Sequence, residues 1–559
     1  MAHKYYCGID LGTTNSTISV IDIERGRDQP IDKLSTIPIY QYNQAFNGID
    51  KNQFLLPSYL YFQVEDKKVY TGYYAKDIFA KGNRPLQTVT AVKTRIGGES
   101  IVHIPAYKNP GISENFNMTQ CSSLLLRTIH QSFREQYGQE IERVVITVPA
   151  AFNTDEREAT MDAAHIAGFE NVKILDEPTA TLLYYINGGE GTLSNLGTET
   201  AIGEDKYVMV YDLGGGTLDV CIAKVQYNDD GDAEIDMVAR SPRADFGGNN
   251  FDQLLGAYFL YNWEQARESI ENRSMDEQST IISRLVSKAE EYKIGMNEKV
   301  LECLDTPRRM ERRARTEAVF EVIAGMKVDM TLTKRAMDEV FLSLTNPDGK
   351  LLDPVKHCVQ EANLTPGDIS LVLLTGGMSE YYAVHEVLQN YFGGQTALVS
   401  VDTRNSVSKG AAIHCYSEAG NEKATKIKLQ DRMADDIFIK HGDKFEKLIP
   451  RHMASGSGQF DYVIPEDRML KMPVFLYHGL NEKAPYSFAP ISGKYFYFDE
   501  RSHLQKGSHV TIQWTVDQNK TIHLSLPELQ QDLKVDQTRL RSFQEAQKDP
   551  VNQYQINPA

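Results

Sequence analysis

The sequence predicts an α/β protein built from two similar halves and followed by a small all-β region. Near-copies of one glycine-rich pattern occur at residues 8–16 and 211–219, one in each half. Up to about residue 415, strand-length apolar runs alternate with helix-like stretches, which is typical of α/β architecture. After residue 418 the periodic segments become short and alternating, which indicates β structure.

The two glycine-rich patterns read GIDLGTTNS and YDLGGGTLD. Each follows an apolar run and precedes an alternating one, so each predicts a strand, a tight turn and a second strand. Glycines let backbone N–H groups approach an anion, and the threonine hydroxyls add donors. Asp10 and Asp212 fall at the strand ends, where a carboxylate suits a hydrated Mg²⁺ ion. Two such hairpins can hold a nucleotide's phosphates from both sides.

In the first half, the remaining elements follow in order. Thr154 is the expected cap of a helix that Gly168 ends. The region 187–206 is polar and rich in glycine, which predicts a surface loop between the halves. The other predicted elements are strands at 57–62, 69–72, 142–148 and 171–175 and a helix at 122–137.

The second half repeats the plan after its own hairpin. The predicted elements are a strand at 233–240, a long helical region at 250–296, a hairpin at 318–330, a helix from 334, a strand at 369–374 and a helix at 406–418. An exposed linker is expected at 419–431. The all-β region spans 432–527, and its apolar residues alternate along 510–516 and 522–526 around a turn at 517–520. The last residues, 528–559, are polar, with room for one short helix at most.

Composition limits the class of protein. The 559 residues are 41% hydrophobic and 24% charged, as expected of a soluble globular chain. A net charge of −17 argues against general nucleic-acid binding. The six cysteines are scattered, which favours reduced thiols inside a cell. No N-terminal signal or membrane span is apparent, so a cytoplasmic location is expected, with secretion by a signal-independent route left open.

A series of further motifs resembles the heat-shock protein 70 chaperone family, within the wider actin and sugar-kinase ATPase fold. The motifs are residues 8–16, Val148-Pro149-Ala150 with Phe152-Asn153 and Arg157, Glu177-Pro178-Thr179-Ala180, residues 212–217, Gly247-Gly248 with Phe251-Asp252, and Gly376-Gly377. The resemblance covers residues 5 to about 415. It implies an actin-like ATPase fold of two duplicated lobes over 1–418. It also implies an interdomain linker at 419–431 and a C-terminal β-sandwich of the substrate-binding type at 432–527. The tail at 528–559 is expected in place of a full helical lid.

The resemblance also implies the site. Asp10 and Asp212 are expected to organise Mg²⁺ through water, and Pro149 and Arg157 to relay nucleotide state to the β region. The expected catalytic residues are Asp10, Lys93, Glu177, Asp212 and Asp219. The expected ATP or ADP contacts are Gly12, Thr13, Thr14, Asn15, Gly214, Gly215, Gly216, Thr217, Gly247, Gly248, Glu290, Lys293, Asn297, Gly376 and Gly377. K⁺ is an optional further cation. Taken singly, Lys93 reads as a surface lysine and Glu177 as a helix cap, and only the ordered combination favours the nucleotide site.

The chain departs from the family at the base end of the site. Glu380 stands where the family has an arginine, and a carboxylate cannot make the cation–π contact of a guanidinium. Asn297 stands where a serine is usual. Tyr381 or Tyr382 is an alternative stacking residue, and base specificity stays open given Glu380 and Ile294.

Other departures concern partners. Lys173 and Asp176 replace residues that the family's J-domain partners meet, and the linker run 427–431 is only half apolar, which predicts weakened docking. An arginine cluster at 308–315 is interpreted as a solvated loop, with an acidic partner or RNA as the less favoured alternative.

Two functions are compatible with the sequence. The first is a chaperone with slow ATP hydrolysis, coupled to binding of extended peptide by the β region and assisted by a J-domain protein and a nucleotide exchange factor. The second is a nucleotide-sensing scaffold that binds one dedicated partner, such as a co-chaperone or an RNA-linked protein. The β region and the Val-Pro-Ala and Glu-Pro-Thr-Ala segments argue against an actin-like filament or a sugar kinase. No membrane partner is expected.

Overall fold

The computed structural model describes most of the chain. The described residues are 3–24, 33–109, 111–187, 205–228, 233–242, 244–262, 270, 273–323, 326–346, 349–394, 396–421, 427–430, 433, 436–441, 444–451, 453, 455–467, 471–479, 489–497, 505–527, 531–532 and 541–558. The predicted surface loop falls almost wholly outside them, as do residues 422–426 and 431 of the predicted linker and most of 528–540.

The first half contains thirteen strands and four helices within the described residues. Its strands are β1 (His3–Asp10), β2 (Asn15–Glu24), β3 (Leu34–Thr36), β4 (Gln41–Asn43), β5 (Gly48–Asp50), β6 (Leu56–Pro57), β7 (Leu60–Gln63), β8 (Lys68–Thr71), β9 (Thr88–Val89), β10 (Ile101–Pro105), β11 (Ser113–Asn117), β12 (Val144–Val148) and β13 (Val172–Asp176). Its helices are α1 (Tyr73–Ala80), α2 (Met118–Tyr137), α3 (Thr154–Ile166) and α4 (Glu177–Ile186).

The second half carries β14 to β20 and α5 to α11. Its strands are β14 (Lys206–Leu213), β15 (Leu218–Tyr227), β16 (Ala233–Arg240), β17 (Arg315–Ile323), β18 (Met326–Thr333), β19 (Ile369–Thr375) and β20 (Ala397–Ser400). Its helices are α5 (Gly248–Tyr261), α6 (Met275–Leu301), α7 (Pro307–Arg313), α8 (Lys334–Thr345), α9 (Asp353–Glu361), α10 (Tyr382–Phe392) and α11 (Ser406–Tyr416). The predicted long helical region is therefore two helices, α5 and α6.

The central sheets of the two halves have the same strand order and the same directions. The first sheet runs β13-β12-β1-β2-β3, and the second runs β20-β19-β14-β15-β16. In each sheet the middle strand, β1 or β14, is antiparallel to the strand after its glycine turn and parallel to a later strand. Because the carboxyl ends of parallel strands lie at one edge of a sheet, the two glycine turns occupy equivalent positions.

Helix ends follow the local sequence signals. Asn117 and Gln120 form a reciprocal cap at the start of α2, and Gly138 ends this helix at φ +67°. The cap of α3 is Asn153, paired with Glu156, and not Thr154 as the sequence predicts. The Thr154 hydroxyl instead accepts a hydrogen bond from the backbone N–H of Ile522. The amide oxygen of Asn153 reaches the third N–H of the helix, so this residue supplies the cap.

The predicted exposed linker is partly a strand. Residues Ile427–Gln430 form β21, which pairs in parallel with β16 and becomes the edge strand of the second sheet. The backbone of this stretch is therefore hydrogen-bonded to β16 along one side. Backbone hydrogen bonds along a sheet edge do not require apolar side chains, so the half-apolar sequence still permits docking.

Within its described residues, the β region contains two four-stranded antiparallel sheets. Its strands are β22 (Asp436–His441), β23 (Lys444–Ile449), β24 (Gly456–Val463), β25 (Lys471–Gly479), β26 (Ala489–Tyr497), β27 (His509–Val516), β28 (Ile522–Leu526) and β29 (Gln531–Asp532). The sheets run β23-β22-β25-β26 and β24-β27-β28-β29. The alternating apolar residues of β27 and β28 are buried, and one hydrophobic cluster joins both sheets.

The end of the chain packs on the first half. Helix α12 (Phe543–Ala546) is followed by β30 (Gln555–Ile556), which pairs in parallel with β8 and extends the sheet β30-β8-β7-β9. Ala546, Val551 and Tyr554 are buried in the hydrophobic cluster of the first half. The sequence predicts a polar tail with at most one short helix, and it does not indicate this strand.

Among the described residues, no helix combines the length and the apolar character required to cross a bilayer.

Candidate functional site

The two glycine turns face each other in direct contact. A Cβ atom built on Gly215 would lie 1.6 Å from the Thr14 hydroxyl oxygen, and one on Gly216 would lie 2.7 Å from Cγ2 of Thr13. A Cβ on Gly247 would lie 2.6 Å from the backbone nitrogen of Gly216. These approaches leave no room for a side chain, which explains why glycine occupies the positions.

A fourth glycine closes the edge of the second sheet. Gly376 follows β19 at φ +78°, a conformation that favours glycine, and its added Cβ would lie 2.5 Å from Oδ1 of Asp212. The carbonyl of Gly214 accepts the N–H of Gly248, and the carbonyl of Gly215 accepts that of Asn249. The start of α5 is therefore joined to the second glycine turn.

A cavity of about 470 Å³ lies between the two halves. The sequence-predicted residues that line it are Asp10, Gly12, Thr13, Thr14, Asn15, Lys93, Glu177, Asp212, Gly214, Gly215, Thr217, Gly248, Glu290, Lys293, Asn297, Gly376 and Gly377. Gly216, Gly247 and Asp219 do not line it. Gly216 and Gly247 pack against each other beneath the residues that line the cavity. Asp219 lies opposite Asp212 in the backbone pairing of β14 with β15.

Lys93 and Glu177 form a buried ion pair on the floor of this cleft. Their side chains are only 7% and 9% exposed. Lys93 begins a short 3₁₀ turn, and Glu177 is the first residue of α4, directly after the end of β13. Burial alone would lower the pKa of Lys93, but the neighbouring carboxylates Glu177 and Asp10 outweigh it and raise the pKa. The lysine therefore stays charged inside the cleft.

Three more carboxylates surround this pair. Burial, reinforced by the charge of Glu177, raises the pKa values of Asp10 and Asp219 to about 7. The pKa of Asp212 is raised well above its usual range by burial and by the same carboxylate cluster. Four buried carboxylates therefore surround one buried lysine, and the cluster carries excess negative charge when they are ionised.

At the far end of the cleft, the predicted nucleotide contacts Glu290, Lys293 and Asn297 already bind other residues of the chain. Glu290 pairs with Lys76 at 2.8 Å, and Lys293 pairs with Asp252 at 2.7 Å. The amide of Asn297 bonds to the carbonyl of Glu380 and the N–H of Tyr382.

Lys76 and Asp252 were not predicted as site residues. Asp252 lies four residues after Gly248 on α5, so helical spacing beside the glycine pair could have indicated it. Lys76 gives no local signal because it comes from α1 of the other half.

Tyr381 and Tyr382, the alternative stacking residues, are held by contacts inside the second half. Tyr381 packs against Phe251 and Phe341, and the Tyr382 hydroxyl donates to Asp338. Both rings are buried in the second half, and Tyr381 also lines the cavity, so its stacking on a base stays a prediction. The Glu380 carboxylate accepts a hydrogen bond from the hydroxyl of Thr403.

The donor set fits a magnesium-bound nucleotide. The Thr14 hydroxyl oxygen is buried and has no hydrogen-bond partner in the described part of the chain, so it can donate to an anion. Asp10 and Asp212 offer carboxylate oxygens of the kind that Mg²⁺ prefers, and residues of both glycine turns line the cavity beside them.

The predicted partner positions contact the β region. Lys173 pairs with Glu418 and lies 3.3 Å from the side-chain oxygen of Gln518. Asp176 pairs with Arg157 and with Lys520. The five arginines of the 308–315 cluster are exposed, but they lie on helix α7 and at the start of β17 and not on the loop that the sequence predicts. Binding of an acidic partner or RNA there stays a prediction.

Comparison with known proteins agrees with this geometry. The chain matches the family profile described as Hsp70 protein over residues 6–538. Chaperone protein DnaK of Thermotoga neapolitana is 29% identical over 460 residues, which is 81% of this chain and 67% of the relative. Chaperone protein DnaK of Thermosipho africanus is 29% identical over 488 residues, which is 86% of this chain and 71% of the relative.

Proposed function

Because this chain belongs to the Hsp70 protein family and is an ATPase and chaperone of that type, we propose that it hydrolyses ATP in the cleft between its two glycine turns. The two α/β halves are the duplicated lobes of an actin-like fold, and the β region is the sandwich that binds extended peptide. The repeated strand order of the two central sheets supports the assignment.

The buried Lys93–Glu177 ion pair is the observation that most supports ATP hydrolysis in this cleft. Phosphoryl transfer needs alignment and charge neutralisation more than covalent participation by the protein. Lys93 supplies a fixed positive charge toward the terminal phosphate, and Glu177 orients the attacking water. Asp219 supports the water or a nearby cation, for which K⁺ is a candidate. The glycine and threonine groups of both turns hold the phosphates, and Asp10 and Asp212 would hold Mg²⁺ through water, which neutralises phosphate charge.

Extended peptide, a J-domain protein and a nucleotide exchange factor are the proposed partners. Lys173 and Asp176 contact the β region. The same two positions are where a J-domain protein would bind. A partner that binds there competes with the docked β region.

A nucleotide-sensing scaffold is the second candidate. It is favoured by the packing of the C-terminal segment, which joins the first half through β30 and through the buried residues Val551 and Tyr554. A β region attached to the nucleotide halves at both ends has less freedom to separate from them.

ATP turnover tests the proposal. Lys93→Ala should reduce turnover by at least about a hundredfold, as expected for the loss of one preorganised electrostatic group. The matched control is Lys108→Ala, which removes an exposed lysine of the same half and should leave turnover unchanged. Equal rates in wild type and Lys93→Ala would contradict the assignment of the cleft.

A further inference from the structure

One cation that lines the nucleotide cavity has no carboxylate partner among the described residues. The basic side chains that line the cavity are Lys76, Lys93, Lys293 and Arg404. The carboxylates that pair with the three lysines are, in the same order, Glu290, Glu177 and Asp252. Within the described part of the chain, the exposed Arg404 side chain forms neither a hydrogen bond nor an ion pair. Its guanidinium is therefore available to a ligand in the cavity.

The turn that carries Arg404 is fixed by its own hydrogen bonds. The carbonyl of Asp402 accepts the N–H groups of Asn405 and Ser406. The Asp402 carboxylate binds the ammonium of Lys409 at 2.6 Å and the side-chain amide of Asn405 at 2.9 Å. This neighbouring carboxylate is therefore engaged inside the turn, and it holds the backbone of Arg404 in place without neutralising the guanidinium.

The same turn belongs to the far end of the cleft. The Thr403 hydroxyl donates to the carboxylate of Glu380, and the carbonyl of Glu380 accepts the side-chain amide of Asn297. Asn297 lies on α6, and Ile294 and Leu301 of this helix also line the cavity, where they are 51% and 41% exposed. The far end therefore combines exposed apolar surface with an available guanidinium.

We propose that Arg404 binds the base of the nucleotide, with its guanidinium against the face of the ring; this rests on the proposed function. A planar guanidinium stacks on an aromatic ring and is attracted by the electrons of its face. Tyr381 lines the same cavity with only 3% of its surface exposed, whereas Arg404 is exposed and can cover a base. Arg404 therefore sets the affinity for the base, while the glycine turns hold the phosphates.

Isothermal titration of the full chain with ADP and with tripolyphosphate, both in the presence of Mg²⁺, tests the inference. Arg404→Met should weaken ADP binding about threefold to tenfold and leave tripolyphosphate binding unchanged, because only ADP carries a base. The matched control is Arg335→Met, which removes an exposed arginine of α8 that is not among the residues lining the cavity. It should bind both ligands as wild type does.

Arg404→Lys separates stacking from charge. Lysine keeps the positive charge but lacks the planar group, so this variant should lose most of the ADP affinity that Arg404→Met loses. In ATP turnover, Arg404→Met should raise the KM by about the same factor and leave kcat within about twofold, because contact with the base is the same in the ground state and the transition state. The position is exposed, so both variants should keep the stability of wild type.

Wild-type ADP affinity in Arg404→Met would overturn the inference, as would equal losses for ADP and tripolyphosphate. Full ADP affinity in Arg404→Lys would overturn it as well, since charge alone would then account for the effect. Failure of the proposed function gives a different result, because wild type and Lys93→Ala would then turn over ATP at the same rate, whatever the ADP titrations of the Arg404 variants give.

Discussion

Four ionisable groups line the floor of the cleft, Asp219 lies behind them, and only Lys93 among the five is a cation. Lys93 is surrounded by Asp10, Glu177, Asp212 and Asp219, all of them buried. In the nucleotide-free chain these carboxylates repel one another and are poorly solvated, which raises the pKa values of three of them. The site therefore favours the binding of positive charge, and its repelling carboxylates lower the free energy of unfolding of the nucleotide-free chain.

We predict that the nucleotide-free chain loses stability as the pH rises from 5 to 7. An aspartate whose pKa is about 7 when folded and about 3.9 when unfolded binds its proton more tightly in the folded state. The free energy of unfolding therefore falls with rising pH in this window, by up to about 1.4 kcal/mol per pH unit for each group. Urea unfolding at pH 5, 6 and 7 measures the slope.

Asp219→Asn provides the matched comparison for this slope. Asparagine cannot ionise, so the variant should show a shallower fall in stability between pH 5 and 7 than wild type. Slopes that coincide in the two proteins would mean that Asp219 is ionised throughout the range.

Glu380 is the residue at which nucleotide affinity can be gained. A guanidinium at this position can contact a base face, whereas the carboxylate cannot. We predict that Glu380→Arg tightens ADP binding about threefold to tenfold and leaves tripolyphosphate binding unchanged. Isothermal titration with both ligands checks this, and equal gains for both would show a general charge effect instead of a base contact.

The sequence predicts the phosphate end of the site better than the base end. Asp10, Asp212 and the glycine turns sit within short motifs, so their local order already sets their geometry. Lys76, Asp252 and Thr403 come from separate elements, and their pairing with Glu290, Lys293 and Glu380 depends on how distant segments pack. Charge pairing across such distances leaves no short-range pattern.

Among the elements, the C-terminal segment (residues 541–558) packs into the hydrophobic core of the first half. The Tyr554 ring packs edge-on against Phe62 and Phe116, and its hydroxyl donates to Glu114 at 2.8 Å. The Arg127 guanidinium binds the Tyr554 carbonyl at 2.7 Å. These contacts bury an aromatic side chain and satisfy its polar atoms at once.

We predict that Tyr554→Ala destabilises the chain by about 3 kcal/mol, as expected for truncating a buried aromatic residue. Gln553→Ala, at the exposed neighbouring position, should change the stability by less than about 0.5 kcal/mol. Chemical unfolding of both variants provides the comparison. Equal stability of the two would contradict the packing of this segment on the first half.

Among the elements, the strands β21 and β30 are two that the sequence does not predict. The strands of the central sheets and of the hairpin β27–β28 carry clear apolar patterns, because one or both faces are buried. By contrast, β21 and β30 add to existing sheet edges through backbone pairing with β16 and β8. Backbone pairing is independent of side-chain identity, so short polar segments of this kind resemble loops in the sequence.

In the molecule as a whole, the β region is attached to both halves. Strand β21 joins it to the second sheet, the turn at Asn519 and Lys520 docks on the first half, and the C-terminal segment returns to the first half. Arg541 extends this contact, since its backbone N–H donates to Asp162 on α3 and its guanidinium pairs with Asp549.

We predict that the β region stays docked with either nucleotide. Cysteines placed at Lys173 and Gln518, whose side-chain ends lie 3.3 Å apart, should react with a short bifunctional thiol reagent equally well in ATP and in ADP. Removal of residues 541–559 should reduce the crosslink in ADP, because one attachment is lost. A crosslink that weakens in ADP in the full chain would contradict docking at both ends.

The function proposed for this chain is ATP hydrolysis in the cleft, at a rate that the β region controls. ATP turnover of the full chain with and without an excess of an extended apolar peptide measures that coupling. We predict a several-fold rise with peptide that disappears in Lys93→Ala. A rate that is the same with and without peptide would contradict the coupling and favour a scaffold with a dedicated partner.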